Sequence, residues 1–438
     1  MKLRSYQNDT IQQSRQALAT NKRVIACLPT GAGKTVIFSE IIKKAYERGS
    51  RVVVLMDRLQ LIEQAAGKLG IPYGRIQGGR TQIDAPVQLA SVDTLRRREL
   101  PPCDLLIIDE CHESKFDNIV QKFDCKTIGF TATPYRKGSQ PSLHLTYSAL
   151  VEPVTILDLI SDGYLCPAVT YGVKLDRSDI KIKGNDYDQG DMFDKFNNRE
   201  LYGGLIKNYL KLAPGKKSIC FCVNVEHSKL TAEAFKAAGI PAAHLDGSSN
   251  KAQRDQTLAD FKAGRILVLC NCALYTKGFD EPSIECVILN RATTSLPLYL
   301  QMCGRGSRLH GDKDHFVIID QGGNTHELGL WEQPREWTLE KKRKKKGDGV
   351  APVKECKKCG ALVHSTAKNC KYCGFVFPVA KKILQEKELN RIEAVEIPER
   401  LKKPFKSMTR QELTEFAKLK GYKIGWVWNQ IKLRDAYN

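Results

Sequence analysis

Val24-Ile25-Ala26-Cys27-Leu28-Pro29-Thr30-Gly31-Ala32-Gly33-Lys34-Thr35-Val36-Ile37-Phe38 decides the fold. A short apolar run ends at Pro29, a glycine-bearing turn follows, and apolar residues then resume, which predicts strand, turn and helix. Such a turn is a phosphate cradle, or P-loop. Gly31 and Gly33 let backbone N–H groups curl around an anion, and the helix start adds the positive end of its dipole. Lys34 then reaches the outer phosphates and Thr35 offers a magnesium ligand, so Thr30, Gly31, Ala32, Gly33, Lys34 and Thr35 are the expected ATP-binding segment. The strict spacing would place glycine at Leu28, so this is a variant of the loop.

Outward from this turn, apolar runs at Arg51–Met56, Val87–Ala90, Leu105–Ile108 and Thr127–Phe130 alternate with helical patterns up to about residue 150. That rhythm predicts an α/β lobe with a parallel sheet, its functional loops at the carboxyl ends of the strands. A second lobe is expected over residues 205–330, with runs at Ser218–Val223, Ala242–Leu245, Ile266–Leu269, Cys286–Leu289 and His315–Ile319. Residues 151–204 between them, with a helix near Val154–Ile160 and a polar stretch over 176–198, read as a connector. After residue 330 come a basic linker (331–352), whose run Lys341–Lys346 suits either a solvated tether or a phosphate contact, and a cysteine-bearing unit (353–378). A helical tail (379–438), a candidate for docking a protein, follows with a capping box at Thr409–Glu412 and a break at Gly421; its Trp426 and Trp428 suit base stacking or the small core of a helix pair, and the core is expected.

Lys and Arg outnumber Asp and Glu by 69 to 49, a net charge of +20. The surplus favours a polyanionic partner, nucleic acid or an anionic membrane surface. No apolar run approaches the roughly 18 residues needed to span a bilayer, and the N-terminus lacks a secretory h-region. A soluble cytoplasmic protein, of a bacterial cell or a phage-infected host, is expected. Eleven of the fifteen cysteines are scattered through strand-like runs, as reduced buried thiols would be.

The other four form Cys356-x2-Cys359 and Cys370-x2-Cys373, each pair followed by glycine (Gly360, Gly374). Two such knuckles predict a closed four-thiolate structural zinc site. Lys354, Lys357, Lys358, Lys368 and Lys371 surround the ligands, so the ribbon is expected to grip phosphates or to dock a protein.

Seventy-five residues past Lys34, Leu105-Leu106-Ile107-Ile108-Asp109-Glu110-Cys111-His112 places two carboxylates at a strand end. Paired with the phosphate loop they predict a metal–nucleotide site. Asp109 is the magnesium acid, and Glu110 positions and deprotonates the attacking water.

These motifs resemble the DEAD/DEAH-type helicases of superfamily two, and more nearly their bacterial and phage branch, which itself resembles XPB, UvsW and the type III restriction motor subunits. The phosphate loop is the helicase variant. Leu3-Arg4-x-Tyr6-Gln7 resembles the adenine-recognition motif, implying that Gln7 reads the base edge and that Arg4 also belongs to the ATP site. Asp57-Arg58 and Ala90–Leu95 resemble strand-contacting motifs, although Asp57 departs from the residue usual there. Phe130-Thr131-Ala132-Thr133-Pro134 resembles the coupling motif. His244–Ser248, Val268–Asn271 with Thr276–Asp280, and Gln301–Arg308 complete the series.

The resemblance implies two tandem RecA-like lobes and ATP and Mg2+ as cofactors. It also implies coupling through His112, Thr131, Thr133 and Gln301, nucleotide contacts from Gly278 and Asp280, and charge neutralisation at the γ-phosphate by Arg305 and Arg308. Nucleic-acid contacts are implied for Arg58, Ser91, Thr94, Asp246, Gly247, Asn271 and Thr276. DNA is favoured over RNA because of the branch and because Asp-Glu-Ala-Asp is absent. The expected activity is ATP-driven unwinding, annealing or branch migration. The alternatives are a restriction-complex motor, an RNA helicase, or a zinc-ribbon binding protein with degenerate lobes.

Overall fold

The computed structural model describes residues 3–57, 67, 69–81, 84–136, 138, 140–272, 281–340, 352–378, 398–423 and 425–435. The chain divides into two compact units, Met1–Pro378 and Val379–Asn438.

In the first unit, helix α1 (Ser5–Thr20) leads into β1 (Arg23–Cys27), and the phosphate loop into helix α2 (Lys34–Glu47). Strands β2 (Val52–Met56), β3 (Gly74–Gln77), β4 (Arg80–Thr81), β5 (Val87–Ser91), β6 (Leu105–Asp109), β7 (Lys126–Thr131) and β8 (Ala149–Val151) complete an eight-stranded sheet ordered β4-β3-β5-β2-β6-β7-β1-β8. Its pairings are parallel except β3 with β4.

Both faces of this sheet are covered, so strand residues on opposite faces feed different cores. Ala26, Val52, Val54 and Ile107 belong to one core, and Ile25, Val53, Leu55, Leu106 and Ile108 to the other. That double burial is why the strands read as unbroken apolar runs.

The second sheet contains β9 (Ala168–Gly172), β12 (Ser218–Cys222), β13 (Ala242–Leu245), β14 (Val268–Asn271), β15 (Cys286–Asn290) and β16 (Phe316–Asp320). Its order is β13-β14-β12-β15-β16-β9, all parallel. Ile219, Phe221, Leu269, Val287 and Leu289 from this sheet share a core with Ala26, Val54 and Ile107 of the first, so apolar packing is continuous between the lobes.

Two stretches differ from the sequence reading. Residues 151–204 are not merely a connector: Ala168–Gly172 pairs along Phe316–Asp320 as the edge strand of the second sheet. They also carry the hairpin β10 (Ile182–Lys183) and β11 (Asp186–Tyr187) and two helices, Gln189–Phe196 and Arg199–Leu212. An edge strand of five residues, three of them partly exposed, lacks the apolar run that marks a central strand.

Residues 331–340, expected to begin a linker, are packed instead. Trp331 is fully buried with its ring 5.4 Å from Phe316, and the Arg335 guanidinium donates to the carbonyls of Leu328, Leu330, Trp331 and Gln333 at 2.9–3.1 Å. The Leu339 carbonyl then accepts from His144 N–H at 3.1 Å and Ser142 Oγ at 2.9 Å in the first lobe. The lysine run lies outside the described residues.

The cysteine unit is a small antiparallel ribbon of β17 (Val353–Glu355) and β18 (Leu362–His364). It docks on the exposed side of β9, where Tyr372 Oη donates to the Ala168 carbonyl at 2.8 Å, and Lys371 pairs with Glu332 at 2.7 Å. A sheet edge that would otherwise offer itself for pairing is thereby covered.

Candidate nucleotide site and four-thiolate centre

The site is built around the turn after β1. Gly31 and Gly33 hold φ of 90° and 77°, a left-handed conformation that costs a side-chain-bearing residue strain. Both are also crowded: a Cβ on Gly33 would lie 2.8 Å from Gln7 Nε2, and one on Gly31 would lie 2.8 Å from Leu165 and 3.3 Å from Ser307 Oγ. Lys34 and Thr35 open α2, and Lys34 Nζ reaches back to the Leu28 carbonyl at 3.4 Å.

Helix α1 is fastened to this loop at Ala32, whose carbonyl accepts from Tyr6 Oη at 2.9 Å and Gln7 Nε2 at 3.4 Å. Arg4 N–H donates to Gln7 Oε1 at 3.0 Å, so Gln7 is oriented at both ends of its amide. The Arg4 guanidinium lies 4.4 Å from the Tyr164 ring centroid, and Tyr6 stacks obliquely on the same ring at 5.3 Å. Tyr164 thus joins Arg4 and Tyr6 in an aromatic and cationic cluster next to the loop. Nothing in the sequence around Tyr164 marks it for this place.

Asp109 ends β6 and accepts from Glu110 N–H at 3.1 Å. Among the described non-glycine residues, Glu110 is the one with positive φ, 52°. A strained backbone of this kind costs on the order of 1 kcal/mol and concentrates at functional positions. His112 links the acidic turn to the next strand: its Nδ1 lies 3.3 Å from Glu110 Oε2 and 2.8 Å from Thr131 Oγ1, and Thr131 Oγ1 in turn accepts from Thr133 N–H at 3.0 Å. Glu110, His112, Thr131 and Thr133 therefore form one connected cluster.

Behind that cluster lies Arg136, which the sequence reading missed. Its buried guanidinium grips Asp117 with two bonds of 2.8 Å and donates to the His112 carbonyl at 2.6 Å, pinning the acidic turn from below. In the strand before the loop, burial first, then the Glu152 carboxylate, pushes the Cys27 thiol far up, so this thiol is a packing group.

The second lobe meets the loop directly. Gln301, on the helix Leu296–Cys303, is buried, and the turn that follows carries Gly304, Arg305 and Ser307. A Cβ on Gly304 would lie 2.8 Å from Thr30 Cβ, and Ser307 O accepts from Cys166 N–H at 2.7 Å. Arg305 is buried while Arg308 is partly exposed.

Other expected contacts sit apart from the loop. Thr94 Oγ1 accepts from Gly78 N–H at 3.2 Å after Ser91 ends β5. Asp246 is buried and its carboxyl is held well below the usual range, first by the Ser248 hydroxyl, with His244 and the Ser248 backbone N–H adding to the effect. Gly247 is exposed beside it, whereas Asn271 is fully buried and donates to the Cys220 carbonyl at 3.1 Å. Asp57, the departure noted above, pairs with Lys115. A cavity of about 280 Å3 between the lobes is lined by His112, Lys115 and Tyr135 on one side and Asn185, Ser295 and Pro297 on the other. Arg58, Thr276, Gly278 and Asp280 lie outside the described residues.

In the ribbon, the four sulfurs of Cys356, Cys359, Cys370 and Cys373 lie within 4.8 Å of one another, with the 356–373 and 359–370 pairs at 3.6 and 3.7 Å. A tetrahedron with metal–sulfur bonds of about 2.3 Å has edges of about 3.8 Å. The donor set therefore fits a structural zinc, and the separations are far too long for disulfides.

A phosphate loop on one parallel-sheet lobe, met by the Gly304–Ser307 turn of a second, has the build of a two-lobed ATP-hydrolysing motor. Residues 1–136 match the family model for the res subunit of type III restriction enzymes, and residues 202–310 that for the helicase conserved C-terminal domain. The chain belongs to the superfamily-two helicases. A 51.5 kDa protein of a Lactococcus phage is 35% identical over 381 residues, covering 83% of this chain and 81% of that one. IRC3 of Saccharomyces cerevisiae, whose ATP-dependent helicase assignment is itself provisional, is 33% identical over 352 residues, covering 73% of this chain and 51% of the yeast protein. The chain thus spans about half the length of that relative. The DNA-bound type ISP restriction–modification enzyme LlaBIII shares the fold, with a TM-score of 0.57 at 16% identity over 75% of this chain and 28% of that one. Among the described residues no helix is long and apolar enough to cross a membrane.

Proposed function

We propose that this helicase works on DNA, coupling ATP hydrolysis to unwinding, annealing or branch migration in replication, recombination or repair. The observation that supports the ATP-driven part of the reading is the approach of the Gly304–Ser307 turn, the turn in which Arg305 stands, to Thr30 and Gly31 of the phosphate loop.

In this reading Lys34 binds the outer phosphates, Thr35 and Asp109 hold the magnesium ion, and that ion supplies charge neutralisation. Glu110 orients and deprotonates the attacking water, and Arg305 and Arg308 neutralise charge spread over the transferring phosphoryl group. Arg4, Gln7 and Tyr164 enclose the base. His112 carries the state of Glu110 to Thr131 and Thr133, and Gln301 reports it to the second lobe. Ser91, Thr94 and Gly247 meet the strand. Asp246 and Asn271, whose polar atoms are engaged within the lobe, act by shaping the loops around it. Zinc holds the ribbon closed, and a net charge of +20 supports the polyanion. DNA is favoured because the similarity extends to restriction motors, one of them seen bound to DNA.

ATP turnover measured with no nucleic acid, single-stranded DNA, forked DNA and RNA, with Glu110→Gln as control, tests the reading. DNA should stimulate most, and the variant should lose nearly all activity. Equal rates in all four conditions would overturn it. The restriction-enzyme match over 1–136 favours one second reading, the motor of a restriction-type complex, which requires a separate nuclease subunit.

A further inference from the structure

The C-terminal unit, Val379–Asn438, is compact by itself, and its core is small: Leu401, Met408, Leu413, Phe416, Ala417 and Val427. Trp426 completes that core, its ring 5.2 Å from Phe405 and stacked on Phe416 at 5.9 Å. Trp428, expected to join it, does not and is 53% exposed. A module this short of apolar surface gains more from burying an indole than from any other single side chain, so an exposed one calls for a partner.

The surroundings of Trp428 say what that partner is. Arg410 lies over the ring at 4.6 Å from its centroid, and Lys432, also exposed, follows one turn later on the same face of the helix Gly425–Asp435. Residues 398–438 hold ten Lys and Arg against four Asp and Glu. Three of the four acids are already committed, Glu415 to Arg400, Glu412 to Lys403 and Glu399 to Lys402. Among the described residues, Lys418, Lys420, Lys423 and Lys432 make no ion pair. An open indole face flanked by Arg410 and Lys432, on a module with further unpaired lysines, is the chemistry of a strand whose bases are unstacked: the ring takes a base and the cations of the module take phosphates.

We propose that this helix pair is a second nucleic-acid-binding module that holds single-stranded segments, with one base against Trp428. The ligand's class rests on the motor reading above, but the binding does not need the motor to turn.

The test uses the full chain without nucleotide, and fluorescence anisotropy with a labelled deoxythymidine oligonucleotide, a uridine oligonucleotide and a blunt duplex. Trp428→Ala should weaken both single strands by about tenfold, the scale of one lost base–aromatic stack, and Trp428→Phe should recover most of it. Lys418→Glu with Lys420→Glu should lower the steepness of the salt dependence by about two. Trp428→Ala should leave maximal strand-stimulated ATP turnover unchanged and raise the strand concentration needed for half of it. Unchanged single-strand affinity in Trp428→Ala, or an equal loss on blunt duplex, would overturn the proposal. Wild-type protein that binds strands but shows no strand-stimulated turnover would count against the motor reading and leave this one standing.

Discussion

Thr30 of the first lobe and Gly304 of the second are in contact, and a methyl group on Gly304 would lie 2.8 Å from both Cβ and Cγ2 of Thr30. Gly304→Ala therefore wedges the lobes apart at the turn that carries Arg305. Turnover should fall about tenfold or more while the thermal midpoint barely moves, because the added group meets a neighbour across a cleft that can open. Steady-state kinetics beside a melting curve separates the two; a variant with normal turnover sinks the idea.

Arg136 and Asp117 form a buried, two-bond ion pair in which the same guanidinium supports the His112 carbonyl. Arg136→Ala leaves Asp117 buried without its ion-pair partner, only the Thr146 hydroxyl at 3.4 Å remaining, which costs on the order of 3–5 kcal/mol. Urea denaturation measures it. Arg136→Lys keeps the charge but cannot repeat the two-bond geometry, so an intermediate loss is expected.

His112 bridges Glu110 and Thr131 at 3.3 and 2.8 Å. His112→Ala should reduce strand-stimulated turnover about tenfold, the scale of one lost hydrogen bond to a charged group, while ATP affinity stays unchanged. Equilibrium binding of a fluorescent nucleotide together with stimulated turnover reads both, and equal loss in the two measurements is the contrary outcome.

Asp246 has a depressed carboxyl, so its unfolded form binds a proton more readily than its folded form. Its stabilising contribution is therefore complete above the unfolded value of about 3.9 and declines as pH falls through the folded one. The stability gap between wild type and Asp246→Asn should be constant from about pH 7 to about pH 5 and narrow below about pH 4. Denaturant midpoints across that range check the sign.

Four thiols at tetrahedral spacing predict one zinc per chain. Cys356→Ser should release it, measured by elemental analysis. Tyr372→Ala should keep the zinc but loosen the ribbon from β9, seen as faster proteolysis around residues 352–378.

What could be read in advance follows burial. Central strands such as Val52–Met56 and Cys286–Asn290 are covered on both faces, so their composition alone marks them. The phosphate loop, the acidic turn and the paired cysteines were legible because their chemistry demands residues at short, fixed spacing. Edge strand β9 was missed because half of it faces partners distant in sequence, the ribbon's Tyr372 among them. Tyr164 and Arg136 act through contacts made only after folding, and nothing beside them in the chain announces it. Trp428 was misjudged for the opposite reason: the spacing of a helix pair does not say which of two tryptophans a six-residue core can accommodate.

The carbonyl of Leu339, held by His144 and Ser142, gives the chain a second crossing between its halves besides the passage at residues 151–168. Parting the lobes therefore takes more than separating their facing surfaces: either the two bonds at Leu339 break, or residues 331–340 travel with the first lobe and leave the place where Trp331 is buried against Phe316.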